Sequence, residues 1–280
     1  MVYSDSHCHL DSYEEAELQA VLAQMKSQQV VLGLAVSINL ETSREAVRLA
    51  ECYESIYAAV GIHPGEAVPL ILEMRREMGE LTGKPRVKAM GEIGLDFMRG
   101  RAKPEVQKEL FSYQVALAKQ AGLPIDIHYS HNAHDEVMSI LRKEKGSSLK
   151  GIAHGFDGDL RMLRDWLDLD FYISIGSASL GMMISLHDLP PIQDEVIKAI
   201  PAERLLTETD SMARMSVSRW KNMKGGPPPD PNAGDPAKEV FLQPADVIEV
   251  TRKIALVRGV SAQDLGRTAT HNLKTILNVK

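Results

Sequence analysis

Short apolar runs alternate with longer amphipathic ones along nearly the whole chain. The apolar runs predict strands over Tyr3–Cys8, Val30–Ser37, Ile56–Ile62, Val87–Ile93, Leu123–His128, Lys150–His154, Phe171–Ile175 and Leu205–Asp210. Between and after them, apolar residues at three- and four-residue spacing predict helices. These cover Tyr13–Gln28, Glu41–Tyr53, Val68–Leu81, Pro104–Ala121, His134–Lys145, Asp159–Leu167, Gln193–Ile200 and Pro244–Arg258. A last amphipathic segment, Ser261–Leu277, predicts a closing helix with Ser261 at its N-cap and Asp264 three residues on. The strands are near-continuously apolar, as expected when both faces are covered. Eight consecutive strand–helix units predict an α/β fold, a (β/α)8 TIM barrel, as a single domain over residues 1–280. An open doubly wound sheet is the alternative. No Gly-x-Gly-x-x-Gly follows the first strand, which weakens the nucleotide-binding form of that alternative. One stretch breaks the rhythm. Met212–Pro236 contains Gly225-Gly226-Pro227-Pro228-Pro229, Pro231, Gly234 and Pro236, which excludes a helix or an interior strand. It predicts a long loop, 212–236, after strand eight.

In a barrel the chemistry sits where strands end and the following loops begin. Strand one ends in His7 and His9, whose spacing of two turns both imidazoles to one side and Cys8 to the other. Strand three ends in Gly61-Ile62-His63-Pro64, strand four in Gly91-Glu92-Ile93-Gly94-Leu95-Asp96 and strand five in Asp126-Ile127-His128. Strand six ends in His154 and strand eight in Glu208-Thr209-Asp210. A charged side chain at the end of an apolar strand is costly unless paired or metal-bound. Nitrogen donors with acids beside them suit a divalent metal. The convergence of these residues on one end of the barrel predicts a metal centre.

Composition narrows the partners. The net charge is −6, without the basic excess of a sequence-independent nucleic-acid binder, so positive charge for a polyanion must be local. Arg99, Arg101 and Lys103 follow strand four, and Arg214, Arg219, Lys221 and Lys224 follow strand eight with Trp220 among them. A cationic loop with one aromatic suits phosphates and a stacked base; a solvated loop is the alternative. The two cysteines, Cys8 and Cys52, are too few for a disulfide framework, and the N-terminus lacks the charge and apolar run of a signal peptide. No apolar run approaches a membrane span. A cytoplasmic protein with no membrane contact and no obligate protein partner is expected.

Taken together, Asp5-Ser6-His7-Cys8-His9-Leu10-Asp11, Val60-Gly61-Ile62-His63-Pro64, Gly91-Glu92-Ile93-Gly94-Leu95-Asp96, Ile127-His128, Ala153-His154-Gly155-Phe156 and Leu206-Thr207-Glu208-Thr209-Asp210-Ser211 resemble the TatD family of metal-dependent deoxyribonucleases, within the amidohydrolase-like barrels. They run in the family order over nearly the whole chain. The resemblance implies two divalent ions, of zinc, magnesium or manganese. His7, His9 and Asp210 would hold the first, His128 and His154 the second, and Glu92 would bridge them. Related barrels often bridge with a carboxylated lysine; Lys88 begins strand four, at the wrong end, whereas Glu92 is at the right one. The implied reaction is phosphodiester hydrolysis at a DNA or RNA end by a metal-bridged hydroxide, with Glu92 and Asp210 catalytic. His63, Arg99 and Glu208 are expected to contact substrate, Glu208 having a supporting role behind a ligand as its alternative. Asp96 is expected to fix a neighbouring loop. The chain departs from the family pattern at Ser130, where many members carry Arg, at Gly155, where Cys is frequent, and at Met212, where Pro follows Asp-Ser. Two other readings stay open: a hydrolase of an amide, lactone or phosphotriester using the same metals, and a metal-binding barrel without turnover. A basic mouth favours the nuclease, and a closed apolar pocket the small-molecule enzyme.

Overall fold

The computed structural model describes residues 2–98, 102–144, 149–182, 191–211, 214–216 and 239–280. Its eight main strands are β1 (Tyr3–Cys8), β2 (Val30–Val36), β3 (Ile56–Val60), β4 (Val87–Leu95), β5 (Ile125–Tyr129), β6 (Gly151–Ala153), β7 (Tyr172–Ile175) and β8 (Leu205–Thr207). Each pairs in parallel with the next in chain order, the arrangement of a TIM barrel. The ring closes between β1 and the segment after β8. Cys8 bridges Ser211 in parallel, Asp210 N–H donates to the His7 carbonyl (3.0 Å), and His9 N–H donates to that of Ser211 (2.5 Å).

The helices are α1 (Glu15–Ser27), α2 (Leu40–Cys52), α3 (Leu72–Thr82), α4 (Pro104–Ala121), α5 (His134–Glu144), α6 (Leu160–Asp168), α7 (Asp194–Ala199), α8 (Val247–Arg258) and α9 (Ala262–Leu277). Strand alternation sorts the core into layers. Leu32, Leu34 and Val36 of β2 pack with Ala59, Ala89, Ile152 and Leu206, and Leu273, Ile276 and Leu277 of α9 join them. Ala35 and Cys8 instead pack with Leu18, Val21 and Met25 of α1. Cys8 is therefore a buried thiol on the face opposite the histidines. Ser261 caps α9 by accepting from Asp264 N–H. Among the described residues no helix is long and apolar enough to cross a membrane.

Several elements differ from expectation, the helix expected from Pro244 among them, which begins at Val247 after a 3-10 turn over Pro244–Asp246. The helix expected from Val68 begins only at Leu72. Pro69 restricts Val68 to extended backbone and lacks an N–H, and Leu70 leaves the helical path to pack with Ile62, Met78 and Leu110. β4 runs past Ile93 to Leu95, where Gly94 has φ +149° and lies so close to β5 that a Cβ would meet the His128 carbonyl oxygen at 1.8 Å. β8 stops at Thr207, and the chain turns at Asp210 (φ +54°). Within the expected 212–236 loop, Arg214–Ser216 (β9) pairs antiparallel with Glu239–Phe241 (β10), forming a ribbon apart from the barrel sheet. The rest of that loop lies outside the described residues.

Candidate metal centre

β1 carries an unusual load of buried polar groups, because its far end builds the site. Ser6 Oγ meets Ser174 Oγ at 2.7 Å across the barrel. Asp5 Oδ1 accepts from Thr209 N–H (2.9 Å) and from His7 N–H (3.2 Å), and Oδ2 accepts from the Thr209 hydroxyl (2.5 Å). Burial pushes Asp5 up to about 7 against these bonds. Asp5 thus fastens β1 to the turn that presents Asp210.

Around the barrel axis the imidazoles face one another. His7 Nε2 and His9 Nε2 are 3.3 Å apart, and Asp210 Oδ1 lies 3.9 Å from the first and 3.5 Å from the second. Glu92 reaches both sides of the cluster. Its Oε2 is 3.6 Å from His7 and 3.8 Å from His9, whereas its Oε1 is 2.9 Å from His128 Nδ1 and 3.8 Å from His154 Nε2. The His7 and His154 rings stack with centroids 3.5 Å apart. Asp210, with 31 % of its side chain exposed, forms the open side. Burial raises its carboxyl, but the hydrogen bond from His9 and the charges of His154 and His7 outweigh this and hold it down to about 2.

Each histidine of this group is held from behind. The second ring nitrogen of His7 meets Asp126 at 3.0 Å, that of His9 the Val36 carbonyl at 2.9 Å, that of His154 Glu208 at 2.9 Å, and that of His128 Asp96 at 3.4 Å. Metal-binding histidines almost always carry such an outer partner, which fixes the tautomer and raises ligand basicity. The cluster contains no Lys or Arg, and Oδ2 of Asp126 and Oε2 of Glu208 are buried without a hydrogen bond. Imidazoles converging on two carboxylates, each backed by an acceptor, fit divalent cations. Three donor sets converge tightly: His7, His9 and Asp210; His63, Glu92 and His128; and His7, His154 and Glu208. The first matches the expected grouping. His128 and His154 meet through Glu92 rather than in a triplet of their own.

His63 enters the second set by position, but its hydrogen bonding points elsewhere. Its Nδ1 accepts from Gly65 N–H (2.9 Å), which leaves the proton on Nε2, 3.6 Å from Glu92 Oε1. Burial pushes the ring down to about 4, so it stays neutral. A neutral N–H aimed at the centre is a donor for an oxygen, not a metal ligand. Of the two expectations for Glu208, its place fits support behind a ligand and not substrate contact. Its side chain is 0 % exposed, and Oε1 accepts Gly155 N–H (2.7 Å) while facing His154. It fits so closely that a Cβ on Gly176 would meet Oε1 at 2.8 Å. Glu208 thus lies behind His154, closed off from solvent. Asp96 joins the expected loop role, accepting Met98 N–H, to its contact with His128. Arg99 lies outside the described residues.

Sequence reasoning missed Asp126 as a partner of His7. Its signal was a carboxylate inside an apolar strand, two residues before a histidine. It also missed the pair His131 and Asp157, 2.7 Å apart on the loops after β5 and β6. Ser130, at the position where many family members carry Arg, serves the loops: its Oγ accepts Phe97 N–H and donates to Asn132.

Residues 4–278 match the family model described as TatD related DNase. The chain is 35% identical over 207 residues to the uncharacterized metal-dependent hydrolase YabD of Bacillus subtilis, covering 74% of this chain and 78% of that one. It is 28% identical over 259 residues to the 3'-5' ssDNA/RNA exonuclease TatD of Klebsiella pneumoniae, covering 92% and 91%. The crystal structure of YJJV, a TatD homologue from Escherichia coli, superposes with a TM-score of 0.79 at 24% identity, over 99% of this chain and 98% of that one.

Proposed function

Because this chain belongs to the family of TatD-related DNases and is a metal-dependent hydrolase, we propose that it hydrolyses phosphodiester bonds at the ends of single-stranded DNA or RNA. The carrying observation is the ring of His7, His9, Glu92, His128, His154 and Asp210, each histidine backed by an acceptor. In this reading His7, His9 and Asp210 would hold one divalent ion and His128 and His154 a second, with Glu92 between the two groups. Bound there, such ions polarise phosphoryl oxygens and make water acidic enough to ionise near neutral pH. Asp210, partly exposed, accepts a hydrogen bond from the attacking water on the open side and steers its proton. Glu92, nearly buried and facing all four histidines, keeps the two halves in register. His63 donates from Nε2 to a phosphate oxygen.

The cavity beside the cluster supports an extended substrate over an enclosed small molecule. Its volume is about 150 Å³, lined by Asp96, His128, His131, His154, Asp157 and Asp210 among others. Pockets that enclose a small molecule usually measure about 300–1,000 Å³ and are mostly apolar.

Protein stripped of metal and reloaded with zinc, manganese or magnesium tests the proposal on single- and double-stranded DNA, RNA and small esters. Release of mononucleotides from single strands is expected, with Glu92→Gln inactive. Full activity of Glu92→Gln would remove the shared role of Glu92. Turnover of small esters alone would overturn the nuclease reading.

A further inference from the structure

The described lining of the cavity contains carboxylates and histidines but no Lys or Arg. Two of its histidines, His128 and His154, belong to the metal cluster; the third is His131. It begins a short 3-10 turn after β5, and its Nε2 lies 2.7 Å from Oδ1 of Asp157. Asp157 is itself held in place. The preceding Phe156 is fully buried and its N–H donates to the Ser174 carbonyl (2.9 Å), and Gly155 is bonded to Glu208. With Nε2 committed to Asp157, Nδ1 is the remaining donor of a side chain that is 37 % exposed.

We propose that His131, held by Asp157, is the cationic contact for a substrate phosphate flanking the scissile one. The inference rests on the phosphodiesterase reading and deepens it. It offers a phosphate a cationic N–H donor in a described lining that has no Lys or Arg. The hydrogen bond to Asp157, partly opposed by burial and aided by the charge of Asp159, raises the His131 imidazole above its ordinary value. Protonated, its Nδ1–H makes a charge-assisted bond to a phosphate oxygen. The other titratable groups of the cavity, Asp96, Asp210, His128, Tyr129 and His154, are common to every variant compared below. His134, on the same segment, is turned away and paired with Asp165.

The test is steady-state hydrolysis of a single-stranded oligonucleotide by the metal-loaded enzyme between pH 6 and 9, at several salt concentrations. His131→Ala is expected to raise KM about tenfold, the scale of one partly exposed charge-assisted bond, with kcat changed less than about threefold. Its plot of log KM against log salt should be shallower by about 0.7, one phosphate contact on a single strand. In the wild type, KM should climb as pH rises through the His131 value. In Asp157→Asn that climb should begin at lower pH, and in His131→Arg it should vanish while KM stays low. If His131→Ala matches the wild type, or if kcat falls while His131→Arg fails to restore KM, His131 only ties the two loops and the inference is overturned. Turnover of no oligonucleotide by the wild type would overturn the phosphodiesterase reading, and the inference with it. Equal melting temperatures of the metal-free variants exclude misfolding as the source of any difference.

Discussion

Replacing Glu208 by Gln separates metal binding from folding. Oε1 of Glu208 has two contacts, His154 Nδ1 at 2.9 Å and Gly155 N–H at 2.7 Å, while Oε2 has no hydrogen bond. Gln keeps the shape of the side chain, and its one carbonyl oxygen can still accept from Gly155. It cannot give His154 a charged acceptor. Loss of such an outer partner typically weakens metal binding 10- to 100-fold, or about 1.4–2.8 kcal/mol. The metal-free protein is expected to lose less than about 1 kcal/mol, because a buried carboxylate with an unbonded oxygen is exchanged for a neutral amide of equal size. Competition with a chromophoric zinc chelator measures the first quantity, and urea unfolding of the metal-free protein the second. Zinc affinity within twofold of wild type would refute the orienting role. An equally large loss of metal-free stability would make Glu208 a packing residue instead.

Gly94→Ala is expected to lower stability by about 3 kcal/mol or more, since its Cβ would fall 1.8 Å from the His128 carbonyl oxygen; urea unfolding within 1 kcal/mol of wild type would contradict the close β4–β5 approach. Stripping the metals with a chelator should lower the melting temperature by roughly 5 °C relative to protein held at about 100 times its Kd, because a ligand bound only by the folded state adds about 2.7 kcal/mol there. Asp159 caps α6 by accepting Met162 N–H at 2.8 Å, and Asp159→Ala should cost about 1 kcal/mol at neutral pH. That bond outweighs burial and lowers the carboxyl. Its stabilisation is therefore present above the unfolded carboxylate range and lost as pH falls through the folded value. The gap between variant and wild type in urea unfolding should close on acidification from pH 6 to 3.

The order of strands was legible because eight apolar runs with amphipathic partners admit few arrangements, and the ring of His7, His9, Glu92, His128, His154 and Asp210 because each stands at a strand end. Partners were not legible. Alternation tells which side of a strand a residue faces, not what lies opposite after a hundred residues of intervening chain. Asp126 stood out as a carboxylate inside an apolar strand but not as the partner of His7, and for Glu208 the sequence left substrate contact and support behind a ligand both open, of which the buried place behind His154 fits the second. The end of β4 depended on Gly94, which packs against a carbonyl of the neighbouring strand. The start of α3 followed from the local chemistry of Pro69, outweighed in the sequence reading by an apolar run whose members pack in different directions.

The meeting of β1 with the turn after β8 places its own condition on how the protein comes into being. His7 and His9 are made some two hundred residues before Asp210, and Asp5 meets Thr209 only once the ring is shut. A fragment cut before β8 has five of the six donors but lacks Asp210 and the Thr209 contact that fixes Asp5. The six-donor cluster is thus complete only once the barrel has closed.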